Sequence, residues 1–190
     1  MLMELISRVR RNHGLEHASI HVLSEKHKNF SAQGNSTPSG FNLNIYGDVS
    51  ETNVIEAVEE AYTRLKKGEH NLAVHPNCGT VLLTTAVMAT LAAQTVFVFE
   101  QKKQRRNSFD PMVLLNALPT AILAVVAALI ISRPIGVQLQ ARYTVEGDLQ
   151  GLQILRIRKV APSPITRFFQ LLLTGGRAQA TSYRIDTKDK

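Results

Sequence analysis

The sequence predicts an α+β membrane protein, built from a small N-terminal α/β domain, a two-helix transmembrane hairpin and a C-terminal β-hairpin segment. Three observations point there. Two uncharged apolar runs, 81–99 (VLLTTAVMATLAAQTVFVF) and 111–132 (PMVLLNALPTAILAVVAALIIS), match the roughly 20 residues a helix needs to cross a hydrocarbon core of about 30 Å. Ahead of them, helical and strand-like apolar patterns alternate. Behind them, the apolar period shortens to two. The division that follows is 1–79, a soluble domain with a candidate metal site; 80–99, the first span; 100–110, a basic loop; 111–132, the second span; and 133–190, the β-hairpin and an interfacial segment.

Residues 1–27 read as one helix, with Leu2, Leu5, Ile6 and Val9 forming an apolar stripe at helical spacing. Gly14 weakens it by about 1 kcal/mol. SAQGNSTPSG (31–40) has the Gly, Pro, Ser and Asn content of a loop. FNLNI (41–45) alternates Phe41, Leu43 and Ile45 against two asparagines, as a half-buried strand does, and Gly47 with Asp48 turns the chain. A second helix covers 51–67, with Ser50 as N-cap, Glu51 at its positive end and Gly68 as its stop. Its buried face is Val54, Ile55, Val58, Ala61, Tyr62 and Leu65; its wet face carries Glu56, Glu59, Glu60 and Arg64.

Asn116 and Pro119 fall inside the second apolar run, where neighbouring groups in a spanning helix can satisfy the freed backbone. The connector EQKKQRRNSFD carries Lys102, Lys103, Arg105 and Arg106, which favours a cytoplasmic loop. Arg64, Lys66 and Lys67 ahead of the first span argue for the opposite orientation. Beyond the spans, GVQLQARYTV (136–145) and LQILRIRKV (152–160) alternate on either side of EGD and read as a β-hairpin. PSP (162–164) breaks the chain, and ITRFFQLLLTGG forms a short amphipathic helix of the kind that lies at a membrane interface. The tail from Arg177 reads as loosely ordered.

The chain has 190 residues, 44% of them apolar, and a formal net charge of +7. That charge alone invites nucleic acid, but no recognition helix is outlined, no aromatic residues interleave with the basic ones, and Trp is absent. The basic residues fit better as membrane flanks, so the expected partner is a lipid bilayer and not a nucleic acid, in a multi-pass protein of a bacterial inner membrane or related membrane. One cysteine, Cys78, excludes an internal disulfide. MLMELISRVRR places its apolar part before its charges, the reverse of a secretory signal.

The chemistry gathers in two short stretches. In HGLEH (13–17), His17 lies one helical turn from His13 and about 40° around the axis, so both imidazoles can reach one ion. Glu16 lies about 60° to the other side of His13, within reach of a metal-bound water whose proton it could accept. His-x-x-Glu-His is the inverted zinc-hydrolase signature, though it fixes only three positions and also suits a polar helix face with solvated histidines. In HPNCGT (75–80), His75 and Cys78 stand two residues apart on a turn shaped by Pro76 and Gly79. Imidazole and thiolate both suit zinc, and His13, His17, His75 and Cys78 together could complete a tetrahedron. Taken singly, His75 also reads as a loop residue and Cys78 as a small apolar residue opening a membrane helix. His21 continues the helix face of His13 and His17 as a supporting or solvated group. His27 and His70 read as solvated. Glu56, Glu59 and Glu60 are formally available as a third ligand but fit a charged helix face better.

HGLEHASIHVLSE, YGDVSETNVIEAVEEAYTRLKKGEHNLAVHPNCGT and the two spans resemble an uncharacterised family of small bacterial membrane proteins common in cyanobacteria, over most of residues 10–160. His-Gly-x-Glu-His and His-Pro-x-Cys-Gly-Thr ahead of a membrane helix are also similar to a family of bacterial membrane proteins described as metal-dependent enzymes. That second resemblance implies a metal site at His13, His17, His75 and Cys78, with Glu16 as base. The chain is too small for the fold of the peptidase-type inverted zinc hydrolases, and no glutamate stands out as their third ligand. Three readings follow: a zinc-dependent hydrolase or peptidase with Glu16 as its catalytic base, a structural zinc site in a scaffold or assembly factor, or a metal-sensing or carrier protein that uses the site without catalysis.

Overall fold

Helix α1 runs unbroken from Leu2 to Lys26 in the computed structural model, which describes residues 2–105, 110–175 and 179–190. Its second half buries Leu15, Ala18, Val22 and Leu23. The expected loop at 31–40 is instead mostly strand β1 (Ser31–Thr37), paired antiparallel with β2 (Gly40–Tyr46) from Thr37↔Gly40 to Ser31↔Tyr46. β1 has almost no apolar side chain to betray it; its ladder to β2 supplies the order. Gly40 closes the turn at φ +133°, a conformation open to glycine, and lies so near the Ile185 carbonyl that a Cβ would meet it at 1.9 Å. Helix α2 (Glu51–Lys66) starts where expected, its Asn53 N–H donating to Ser50 Oγ at 3.2 Å.

The chain returns to this region after the apolar hairpin, so that Met1–His75 and Ala141–Lys190 form one unit and Pro76–Gln140 a second. Strands β3 (Leu152–Val160) and β4 (Thr181–Asp189) flank helix α5 (Pro164–Thr174) in sequence. The sheet is antiparallel in the order β1-β2-β4-β3. Two sequence expectations are corrected here. The tail beyond Arg177 carries a central strand, whose alternating Tyr183 and Ile185 face Leu43 and Phe41 of β2. And β3 pairs with β4, not with residues 136–145, which are helical. Among the described residues there is accordingly no separate C-terminal β-hairpin: β3 and β4 complete the sheet begun by β1 and β2.

Phe41, Leu43, Ile45, Tyr183 and Ile185 share one core with α1 and with Val54, Ala57, Val58, Ala61 and Leu65 of α2. Each large apolar side chain fully buried there contributes ~1.5–3 kcal/mol. The opposite sheet face is polar: Ser182 Oγ donates to Asn44 Oδ1 at 2.6 Å, and Asp186 pairs with both Arg158 and Arg184.

The second unit is a helical hairpin. Helix α3 (Gly79–Gln104) takes in the first apolar run and the start of the expected basic loop, of which residues 106–109 lie outside the described residues. Helix α4 (Pro111–Leu139) is N-capped by Asp110, whose Oδ1 accepts from the Met112 N–H at 2.8 Å, and runs on into a π-helical turn at Gln140–Thr144. The period-two pattern after 135 misleads because Gly136 is a packing residue, not a strand start. A Cβ there would meet Val81 Cα at 2.9 Å, so the helix must continue to keep that contact. Ala117, Ala121, Ala128, Ser132 and Gly136 form the buried stripe of α4, and Ser132 shares a hydrogen bond of 2.9 Å with Thr85 of α3. Large side chains point outward, among them Leu83, Leu91, Phe99, Leu123 and Ile130. Both helices are long and apolar enough to cross a membrane, with mean hydropathies of 1.9 and 2.5 in their most apolar windows, of which only 6% and 17% is buried.

Candidate metal centre

One stripe of α1 carries His13, His17 and His21, a turn apart, and faces the 3-10 turn His70–Ala73 and the residues after it. Each of the three rings has one nitrogen on a backbone carbonyl. His13 Nδ1 lies 2.9 Å from the Thr144 oxygen, His17 Nδ1 2.8 Å from that of Ala73, and His21 Nε2 2.9 Å from that of Val74. A carbonyl oxygen only accepts, so the facing ring nitrogen must carry the proton and donate. The tautomer is thereby fixed, and in a neutral ring the other nitrogen keeps its lone pair: Nε2 in His13 and His17, Nδ1 in His21. Metal-binding histidines are held in this manner.

The rings cluster. His13 and His17 have centroids 4.3 Å apart, with ligand nitrogens within 4.8 Å of each other. His75 stacks against this row, 4.8 Å from His21 and 5.7 Å from His17. Burial, with His21 and His17 beside it, pushes the His75 imidazole down to about 4, so it stays neutral near pH 7, the form that ligates.

Gly14 explains how the carbonyls come so close. A Cβ at this position would stand 2.2 Å from the Glu146 carbonyl oxygen and 3.2 Å from Ala73 Cβ. The absent side chain lets α1 lie directly on both segments that orient the histidines. The Glu146 N–H donates to the Arg10 carbonyl at 3.0 Å, and Arg10 Nη2 donates to the Val145 carbonyl at 3.1 Å, clamping the segment after Thr144 to the helix.

Glu16 is turned toward β1. It is 4% exposed, and Oε2 accepts a 2.6 Å hydrogen bond from Ser36 Oγ. Gly34 makes the room: a Cβ there would fall 2.0 Å from Glu16 Oε1. Asn12, one turn earlier, bridges the same side, giving to the Thr37 carbonyl and accepting from Thr187 Oγ1. Sequence reasoning missed Ser36 and Gly34 because β1 itself was hidden, and missed the three carbonyls because every residue has one.

Cys78 belongs to the second unit, where it is buried and forms the N-cap of α3, its thiol 3.7 Å from Thr80 Oγ1. Among the glutamates of α2, Glu56 and Glu59 are exposed and Glu60 pairs with Lys26 and Arg64, as a charged helix face should. His70 is exposed, and His27 meets the edge of Phe30.

The model of a domain of unknown function, DUF6391, matches residues 8–157, and the chain belongs to that family. It is also similar to an uncharacterised protein of Picosynechococcus sp., 34% identical over 123 residues, which cover 60% of this chain. The chain spans about half the length of that relative, 55% of it. No solved structure matches.

Proposed function

For this member of the DUF6391 family we propose a two-span membrane protein that holds one zinc ion through His13 Nε2 and His17 Nε2, with Cys78 and His75 supplying the remaining protein ligands. The observation that carries it is the pair of Nδ1–carbonyl hydrogen bonds at His13 and His17, which leave two lone pairs side by side. His75 stands next to them in its neutral form. Cys78 follows His75 by three residues, so chain geometry alone keeps their Cα atoms within about 11 Å. A nitrogen and sulfur donor set selects zinc over magnesium or calcium. The membrane setting is supported by α4, which packs on α3 through a stripe of mainly small residues, and by the large apolar side chains that both helices turn outward.

Glu16 separates two roles for the ion. In a hydrolase, zinc supplies Lewis acidity and Glu16 takes a proton from the attacking water. In a structural centre, Glu16 is a packing group between α1 and β1. Its hydrogen bond to Ser36 and the space left by Gly34 favour the structural role. Elemental analysis of the purified full chain tests the site itself. The expected result is one zinc per chain in the wild type and a loss of at least tenfold in His13→Ala and in His17→Ala. Equal zinc in all three proteins removes the proposal. Glu16→Gln then divides the roles: retained zinc with loss of hydrolysis of a peptide or ester panel marks an enzyme, and unchanged behaviour marks a structural centre.

A further inference from the structure

Helix α5 turns a stripe of large apolar side chains away from the unit it belongs to. Ile165, Phe168, Leu171 and Leu172 lie within about a third of its circumference and are 71%, 60%, 66% and 65% exposed. The other side carries Thr166 and Gln170, both partly buried, and Thr166 Oγ1 meets Asn44 of the sheet at 3.5 Å. The helix thus meets its own unit at Thr166 and turns Ile165, Phe168, Leu171 and Leu172 outward. Such an arrangement is unfavourable in water, where an apolar stripe belongs on the core.

The surroundings say what covers it. From Leu149 to Ile185 the chain contains no acidic residue, yet holds Arg156, Arg158, Lys159, Arg167, Arg177 and Arg184. Arg156, opposite Asp186 on the polar sheet face, and Arg167 are exposed and form no ion pair among the described residues. At about 1.5 Å per residue, the 11 residues of α5 reach only about 17 Å, too short to cross a bilayer. A short helix with Phe and Leu on one side and cations around it is the form that lies in the plane of an anionic lipid surface.

We propose that α5 is an in-plane membrane anchor, seating Ile165, Phe168, Leu171 and Leu172 among the acyl chains just below the headgroups while Arg167 and Arg156 meet lipid phosphates. The inference takes its setting from the membrane reading above, but its test is separable. The chain has no tryptophan, so one introduced indole is the only one to report. Phe168→Trp and Leu172→Trp place it on the apolar stripe, and Leu123→Trp, at an outward position of α4, reports on the spans.

The full-length variants are reconstituted into phosphatidylcholine–phosphatidylglycerol vesicles carrying a quencher either near the headgroup or near the chain end. The expected result is blue-shifted emission at 168 and 172, quenched at least twofold more by the shallow label than by the deep one. Using two reporters guards against one that disturbs the fold. Water-like emission at both positions, or shielded emission that neither lipid label quenches, overturns the proposal; the latter outcome means another protein surface, such as a second copy of the chain, covers the stripe. Quenching at position 123 by the deep label is read separately. Its loss would count against the spans, while positions 168 and 172 alone decide the placement of α5.

Discussion

The two helix pairs of this molecule solve opposite packing problems. In the first unit, α1 and α2 turn Leu15, Leu23, Val54, Val58 and Leu65 inward and cover a sheet face of Phe41, Leu43 and Ile185. In the second, α4 turns mainly alanine, serine and glycine toward α3, and both helices leave leucine and other large apolar side chains outside. The first pair buries its large apolar side chains, the arrangement that the hydrophobic effect favours in water. The second leaves them outside, as a helix pair in an apolar medium does, and its helices meet by close backbone approach at Gly136 and a Ser132–Thr85 hydrogen bond. The two pairs thus differ in which size of residue faces inward.

The sharpest way to break that comparison is to truncate one leucine or isoleucine in each unit. Leu43→Ala should cost ~2–5 kcal/mol, while Ile130→Ala, at an outward position of α4, should cost less than ~0.5 kcal/mol. Unfolding of the purified protein in mild detergent, followed through tyrosine fluorescence and far-ultraviolet dichroism, measures both. Equal costs would mean that α4 is packed as a core helix and that the contrast is false.

Gly14→Ala comes next and tests a sign. Helix propensity alone predicts a gain of about 1 kcal/mol. The clash with the Glu146 carbonyl predicts a net loss of ~1–3 kcal/mol, with weakened zinc retention as the histidines lose their carbonyl partners. A more stable protein would show that α1 does not lie on that segment. Ser132→Ala, within the hairpin, should cost ~0.6 kcal/mol, read from the same detergent unfolding; a loss above ~2 kcal/mol would show that the hydrogen bond, more than the small-residue stripe, holds the helices.

The smallest effect is at Glu60. Its hydrogen bond to Lys26, against some burial and with Arg64 also near, holds this carboxyl below its ordinary 4.5. A lowered folded value means that the unfolded chain takes up its proton first as the solution is acidified. The pair's contribution is therefore full above pH 4.5 and drains away below it. Glu60→Gln should match the wild type in acid and be slightly less stable at neutral pH, as melting curves across that range would show. A difference that grows toward acid would reverse the assignment.

The elements legible in the sequence were those whose pattern and surroundings agree. The stripe of α2 with Ser50 ahead of it, the alternation of β2, the two apolar runs and the amphipathic repeat of α5 all stand where their patterns put them. β1 was hidden because an edge strand of Ser, Gln, Gly, Asn and Thr gains its order from its partner's ladder, which no local pattern records. β4 shows the right alternation at Tyr183 and Ile185, but its partner β2 lies some 140 residues away, and the flanking polar residues resemble a frayed terminus. Residues 136–145 failed in the other direction: a true period of two was overridden by the contact of Gly136 with Val81. At the candidate site, the histidine stripe was visible from its spacing of four, and His21 proved as well anchored as its neighbours. The grip of the Ala73, Val74 and Thr144 carbonyls was not visible, since backbone groups carry no sequence signal.

The sheet has a further consequence, which concerns sidedness. β2 precedes the apolar hairpin and β4 follows it, yet the two strands are hydrogen-bonded in register from Gly40↔Asp186 to Ile45↔Thr181. Strands joined in that way must share one compartment. Whatever passes through a bilayer between Pro76 and Gln140 therefore has to go over and come back, an even number of crossings, whichever leaflet it enters first. Translocation of one flank without the other would leave β2 without the neighbour that the end of the chain provides.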